Sequence, residues 1–254
     1  MVSNFKQIFK HHMKDNINRV IIIGATSGIG RRLAELYAEK GWRVGITGRR
    51  KELLDELQKK YPAQVETECF DITQNKNIEH LKSLVKKLDG LHLIIISAGG
   101  GDVSKELSWE IDKRTTETNV NGFIEITNWA FNFFINQNHG HLVVISSIAS
   151  YRGNSWAPAY SASKAFQSIY FEGLHIKARK MKKDVNVTCI EPGFVNTAMA
   201  KGNKLFWVVP VDKAARQIIR AIEKKKYLAY ISRRWWIMAK LFKWAPDWIY
   251  HRLG

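Results

Sequence analysis

A chain of 254 residues, 45% hydrophobic and 25% charged, suits one α/β domain with a sizeable core and excludes a disordered or fibrous chain. The net charge of +17 is high for an enzyme of small molecules and points to a polyanion, either an anionic membrane surface or nucleic acid. Cys69 and Cys189 are the two cysteines, so a disulfide framework or a metal site is not expected. Two buried, reduced thiols in apolar strands and a cytoplasmic setting are. The apolar runs fall far short of the ~18 residues of a membrane span, and Met1 to Asn18 lacks the apolar segment of a secretory leader.

Residues 1–17 form a basic extension. Phe5, Ile8, Phe9 and Met13 have helical spacing with Lys6 and Lys10 between them; an unstructured leader is the other reading. From Asn18 the chain alternates. An apolar strand is expected over Arg19 to Ile23, a helix over Arg31 to Lys40, a strand over Trp42 to Thr47 and a helix over Glu52 to Lys60. A strand over Gln64 to Phe70 and a helix over Asn77 to Leu88 follow. Leu91 to Ser97 is almost wholly apolar, as a strand buried on both faces of a parallel sheet must be. His141 to Ser146, Val185 to Ile190 and Tyr227 to Ser232 are further strands. Strands separated by helices predict an α/β fold, a three-layer, doubly wound parallel sheet of the Rossmann type, over residues 18–232.

The first strand runs into Gly24-Ala25-Thr26-Ser27-Gly28-Ile29-Gly30, and a helix follows. Glycines let the backbone turn tightly and approach a pyrophosphate, while the helix N-terminus offers free N–H groups to the anion. A structural glycine turn is the plainer reading. The second strand ends Thr47-Gly48-Arg49-Arg50. A carboxylate there would hold a ribose 2′-hydroxyl and repel a 2′-phosphate; two guanidinium groups can pair with the phosphate instead. Cations are disfavoured at a helix start, so simple solvation explains Arg49 and Arg50 less well.

With Gly24 to Gly30, the segments Asp71-Ile72, Ser97-Ala98-Gly99, Asn119-Val120-Asn121-Gly122, Ile145-Ser146-Ser147, Tyr160-Ser161-Ala162-Ser163-Lys164 and Pro192-Gly193-Phe194-Val195-Asn196-Thr197 complete a pattern. In order and spacing it resembles the single-domain short-chain dehydrogenases/reductases over roughly Asn18 to Ala200. Ile23 before the first glycine and Ile96-Ser97 before Ala98 depart from that family's common residues. The resemblance implies a nicotinamide dinucleotide, here NADP(H), and hydride transfer between a carbonyl and an alcohol carbon. A phenol with an ordinary pKa of about 10 is a poor base. Lys164 four residues on, on the same face of a helix, favours the phenolate of Tyr160. Ser147, ending a buried strand, can hydrogen-bond the reacting oxygen. By resemblance alone, Asn119 completes a tetrad by holding a water near Lys164. Asp71 and Ile72 border the adenine, Ser97, Ala98 and Gly99 pack on the cofactor, and Val195 and Thr197 hold its carboxamide. The resemblance also implies a homodimer or homotetramer. A non-catalytic dinucleotide-binding regulator is the alternative, and loss of Tyr160 or Lys164 would mark it. No nucleic-acid-binding module is recognisable.

Leu205, Phe206, Trp207, Val208 and Val209 read either as an apolar lid over a hydrophobic substrate or as a packed short helix. Residues 233–254 form a basic, tryptophan-rich segment. On a helix, Trp235, Met238, Ala239 and Phe242 share one side, with Arg233, Lys240 and Lys243 on the other. That pattern serves peripheral docking on an anionic membrane or packing against protein.

Overall fold

The computed structural model describes residues 17–104, 106–198 and 206–253. The expected helical spacing of Phe5, Ile8, Phe9 and Met13, and Leu205 of the apolar stretch, lie outside the described residues. Seven parallel strands, β1 (Arg19–Ile23), β2 (Arg43–Gly48), β3 (Val65–Cys69), β4 (Leu93–Ile96), β5 (His139–Ile145), β6 (Asp184–Pro192) and β7 (Leu228–Ile231), form one sheet in the order β3-β2-β1-β4-β5-β6-β7. The helices in chain order are α1 (Gly28–Glu39), α2 (Lys51–Lys60), α3 (Asn77–Leu88), α4 (Trp109–Thr116), α5 (Phe123–Gln137), α6 (Pro158–Lys180), α7 (Val211–Glu223), α8 (Arg233–Trp244) and α9 (Asp247–Leu253).

Side chains alternate across a strand, and β1 shows the consequence. Val20 and Ile22 pack on the face covered by α1, α2 and α7, whereas Ile21 and Ile23 pack on the face covered by α3, α5 and α6. This gives the three layers. Chain order reverses between β1 and β4, which opens a crevice at their carboxyl ends. Gly24 and Ser97 leave the sheet there.

Differences from expectation are local. Helix α1 begins at Gly28, three residues before Arg31, because the glycine turn itself supplies its first turn. Cys69 is exposed, not buried, since it ends the edge strand β3; Cys189 is buried, and both are free thiols. Phe206, Trp207 and Val208 form no helix and are exposed, while Val209 is buried and bridges Val195.

The face of α8 that carries Trp235 and Ala239, with Met238 and Phe242 beside them, is turned inward against Ile148, Tyr151 and Tyr230. It therefore packs on the domain and is not free for a membrane. A Cβ on Gly193 would lie 2.0 Å from the Trp235 ring, so that glycine is what lets the indole lie flat on the end of β6. Among the described residues no helix is long and apolar enough to cross a membrane.

Candidate active site

A cavity of about 730 Å³ opens along the carboxyl ends of β1, β4, β5 and β6. Gly24, Thr26, Ser27, Gly28 and Ile29 line one end. Gly24 and Gly28 have φ of +84° and +58°, which glycine adopts without penalty, and a Cβ on Gly24 would lie 2.6 Å from the Ala98 backbone. The missing side chains leave a cradle of bare backbone before the N-terminus of α1, which fits a dinucleotide pyrophosphate. Gly30 is not on the cavity wall; its Cβ would meet the Gly24 carbonyl at 2.2 Å, so it serves the close approach of helix and turn.

Arg49, Arg50, Asp71 and Ile72 flank this end. Arg50 donates from one Nη2 to the hydroxyls of Thr26 (2.7 Å) and Ser27 (2.8 Å), while exposed Arg49 reaches Asp71 at 3.4 Å. Opposite the turn, Ser97, Ala98, Gly99 and Val195 line the middle of the cavity, and Thr197 Cγ2 lies 3.3 Å from where a Gly28 Cβ would be.

Ser147, Tyr160 and Lys164 converge on the same cavity. Ser147 follows β5 and caps a one-turn 3₁₀ helix (Ile148–Tyr151); its Oγ accepts from the Ala149 N–H at 3.1 Å, leaving its own O–H to donate elsewhere. Tyr160 and Lys164 lie one turn apart on α6, with Lys164 Nζ 5.8 Å from the phenol ring centroid. Burial holds the Tyr160 phenol above its ordinary pKa, opposed by a hydrogen bond with Ser147. Burial also lowers Lys164 to about 8, so it stays mainly an ammonium at neutral pH. That ammonium donates to the carbonyl of Ile145 (3.1 Å) and to Oε1 of Gln167 (2.9 Å).

Asn119 is buried and off the cavity wall, in a π-helical turn (Glu117–Gly122) between α4 and α5. Its amide exchanges hydrogen bonds with the Gly100 backbone, at 2.9 Å and 2.6 Å, and donates to Ser163. Its backbone carbonyl accepts from Nε2 of Gln167 at 2.9 Å. Gln167 thus stands between Lys164 and Asn119 with both ends of its amide engaged, fully buried.

Gln167 and Gly101 are site residues that sequence reasoning missed. A Cβ on Gly99 would lie 3.2 Å from Lys164 Nζ, and one on Gly101 only 2.2 Å from Tyr160 Cδ2. The run Gly99-Gly100-Gly101 was the available signal. Gln167, three residues past Lys164 on α6, had none beyond helical spacing. The far end of the cavity is aromatic: Phe194, Phe206, Trp235, Phe242 and Tyr250, with Arg152 among them. Among the described residues no cluster could hold a metal ion.

The family model for "short chain dehydrogenase" matches residues 18–205. An uncharacterised oxidoreductase of Myxococcus xanthus is 36% identical over 189 residues, 72% of this chain and 74% of that one. Among solved structures, a short-chain dehydrogenase/reductase from Burkholderia phymatum in complex with NAD has a TM-score of 0.81 at 18% identity, covering 89% of this chain and 92% of that one. An actinorhodin polyketide ketoreductase variant with NADPH has a TM-score of 0.75 at 21% identity, covering 85% and 96%.

The glycine run gives a matched pair of substitutions. Gly101→Ala drives a methyl group into the Tyr160 ring, whereas nothing lies within 4 Å of a Cβ on Gly100. Overpacking of this kind costs about 1–3 kcal/mol, which is several degrees of Tm in a chain of this size. Thermal unfolding should show that loss for Gly101→Ala and little change for Gly100→Ala.

Proposed function

The chain belongs to the short chain dehydrogenase family, and on that footing we propose that it is an NADP(H)-dependent oxidoreductase interconverting a carbonyl and an alcohol on a hydrophobic substrate. The observation that carries this reading is the meeting of Ser147, Tyr160 and Lys164 on a cavity whose other end is the glycine cradle. The glycine cradle would hold the dinucleotide, whose nicotinamide would supply hydride in reduction and accept it in oxidation. Tyr160 acts as general acid and base. Its raised pKa keeps the phenol protonated at neutral pH, ready to donate to an oxygen that is gaining charge. In the reverse direction the Lys164 ammonium favours the phenolate. The O–H of Ser147, whose Oγ accepts from the Ala149 N–H, donates to the same oxygen. The arrangement favours an enzyme over a non-catalytic dinucleotide-binding regulator, since both Tyr160 and Lys164 are present and set in place.

Solved relatives hold either NAD or NADPH, so the choice of NADP(H) rests on this chain's own residues. Gly48 ends β2 without a carboxylate, and the Arg49 and Arg50 guanidinium groups flank the cavity there. Self-association is supported by exposed Ile169 and Ile176 on α6 and Trp109 on α4.

A second surface favours peripheral docking on an anionic membrane. The outer side of α8 exposes Trp236, Ile237, Leu241 and Trp244, continued by Trp248 on α9. Arg233, Arg234, Lys240 and Lys243 are exposed around them. Interfacial tryptophans ringed by cations suit anionic headgroups.

Tyr160→Phe should lower NADPH-dependent turnover about a hundredfold or more, with NADPH binding kept; near-normal turnover would remove Tyr160 from the chemistry. Gln167→Leu takes an acceptor from the Lys164 ammonium. Less ammonium means less phenolate, so the rise of alcohol oxidation with pH should move to higher pH. Its rate at pH 7 should fall roughly tenfold, the worth of one charge-assisted hydrogen bond. An unmoved pH profile would make Gln167 a packing residue. Arg49→Asp should weaken NADPH more than NADH in fluorescence titrations, and an unchanged ratio would clear Arg49 of reading the 2′-phosphate. For the membrane surface, the full chain should co-sediment with phosphatidylserine vesicles, less so in high salt, and lose that binding as Trp244→Ser/Trp248→Ser. Equal binding of wild type and variant would place the contact elsewhere.

A further inference from the structure

Among the described residues, the cation at the aromatic end of the cavity is Arg152. Arg152 follows the 3₁₀ turn that Ser147 caps, so the residue that meets the reacting oxygen and this guanidinium are carried by one short stretch of chain. The C-terminal helices build its surroundings. The Arg152 Cζ sits 4.5 Å over the centroid of the Tyr250 ring, and that ring is pinned because the Tyr250 hydroxyl donates to the Gly153 carbonyl at 2.7 Å. Phe242 packs edge-on to Tyr250 at 6.1 Å. Trp235 meets Phe194 and Phe206 at 5.4 and 5.2 Å to extend the apolar wall.

Among the described residues the ionic partner of Arg152 is Asp247, which accepts from one Nη2 at 2.7 Å. A guanidinium carries five N–H donors in a planar fork, so this bond leaves most of its donor capacity for another acceptor. The Asp247 side chain is 77% exposed at the rim, whereas that of Arg152 is 23% exposed on the wall. An ion pair with one partner in water contributes little. An anion held inside the cavity, against aromatic rings and away from water, is attracted more strongly by the same guanidinium.

We propose that the substrate is an apolar carbonyl compound that also carries an anionic group, a carboxylate or phosphate, and that Arg152 binds that group while the aromatic wall takes the hydrocarbon. Asp247 holds the guanidinium until the substrate anion competes for it. This substrate class rests on the oxidoreductase reading above, but the anion site itself can be tested without turnover.

The NADPH-saturated full chain is titrated calorimetrically with octanoate, octyl phosphate and octanol, as wild type, Arg152→Met and Asp247→Asn. The stronger of the two anions should bind wild type at least about tenfold more tightly than octanol, as charge-assisted hydrogen bonds require, and its identity separates carboxylate from phosphate. Arg152→Met should abolish that advantage while octanol binding stays, which also shows that the variant is folded. Asp247→Asn, which removes the competitor, should tighten the anion severalfold. Octanol binding as well as both anions, or an anion advantage that survives Arg152→Met or is lost in Asp247→Asn, would overturn the proposal. A parallel assay follows NADPH oxidation with medium-chain oxo acids and their methyl esters. Arg152-dependent binding without reduction of either would sink the oxidoreductase reading and leave the anion site standing; reduction of both at equal kcat/KM would sink the anion site alone.

Discussion

The ammonium of Lys164 is withdrawn from water, and the architecture around it follows from that. A buried cation is tolerated only where its N–H donors meet acceptors. Lys164 finds the Ile145 carbonyl at the end of β5 and the Gln167 amide on its own helix. Gln167 is in turn held by the Asn119 carbonyl, and Asn119 grips Gly100. One charge therefore ties together β5, α6, the π turn and the loop after β4. Even so, burial draws its pKa down to about 8, which keeps the charge near the edge of titration at physiological pH. That is the range in which an ammonium can influence a neighbouring phenol and still respond to it.

The loop after β4 shows what such closeness requires of the sequence. Gly99 leaves room for Lys164, Gly101 for the ring of Tyr160, and Gly100 faces the Asn119 amide with its backbone alone. Three successive residues without side chains let one loop lie against three functional groups at once. On the other side, Ser146 next to Ser147 donates to the Lys164 carbonyl, and the Ser168 hydroxyl donates to buried Glu191. Polar contacts thus lock α6 to β5 and β6, and Tyr160 inherits a fixed position from a helix that cannot slide.

Much of this was readable from the chain because it depends on local spacing. The apolar runs set seven strands, the glycine turn set the crevice, and the four-residue spacing of Tyr160 and Lys164 put them on one face of α6. What escaped depends on contacts between distant segments. The exposure of Cys69 follows from β3 lying at the sheet edge, which a strand's own sequence does not state. Trp235 and Trp236 are neighbours of identical type, yet the first is buried and the second half exposed. The gap at Gly193, over forty residues earlier, is what selects between them. Gln167 and Arg152 look like ordinary polar residues until Asn119 and the Asp247–Tyr250 segment are brought against them.

The positions of the cations give the cavity a polarity along its length. Among the described residues, Arg49 and Arg50 stand at the glycine-turn end, Lys164 near the middle and Arg152 at the aromatic end, with Asp71 and Asp102 the acids on the wall. Asp71 is paired with Arg49 and Asp102 with Arg114, so both carboxylates are already offset by cations. A net charge of +17 surrounds the whole. Such a field raises the encounter rate of anions with the crevice at either end. It is screened within about 10 Å at ordinary ionic strength, so it can steer a ligand to the mouth but cannot hold it. Holding falls to groups inside the low-dielectric walls, and there the two ends differ. The cradle offers bare backbone before a helix N-terminus, whereas the aromatic end, among the described residues, presents the guanidinium of Arg152 on a side chain. The first end is built from the sheet and its turns, the features this chain shares with its family. The second joins Arg152 and Phe194, inside the 18–205 match, to Trp235, Phe242 and Tyr250 on α8 and α9, beyond it. Chain inside the family match and chain beyond it therefore meet at the aromatic end of the cavity.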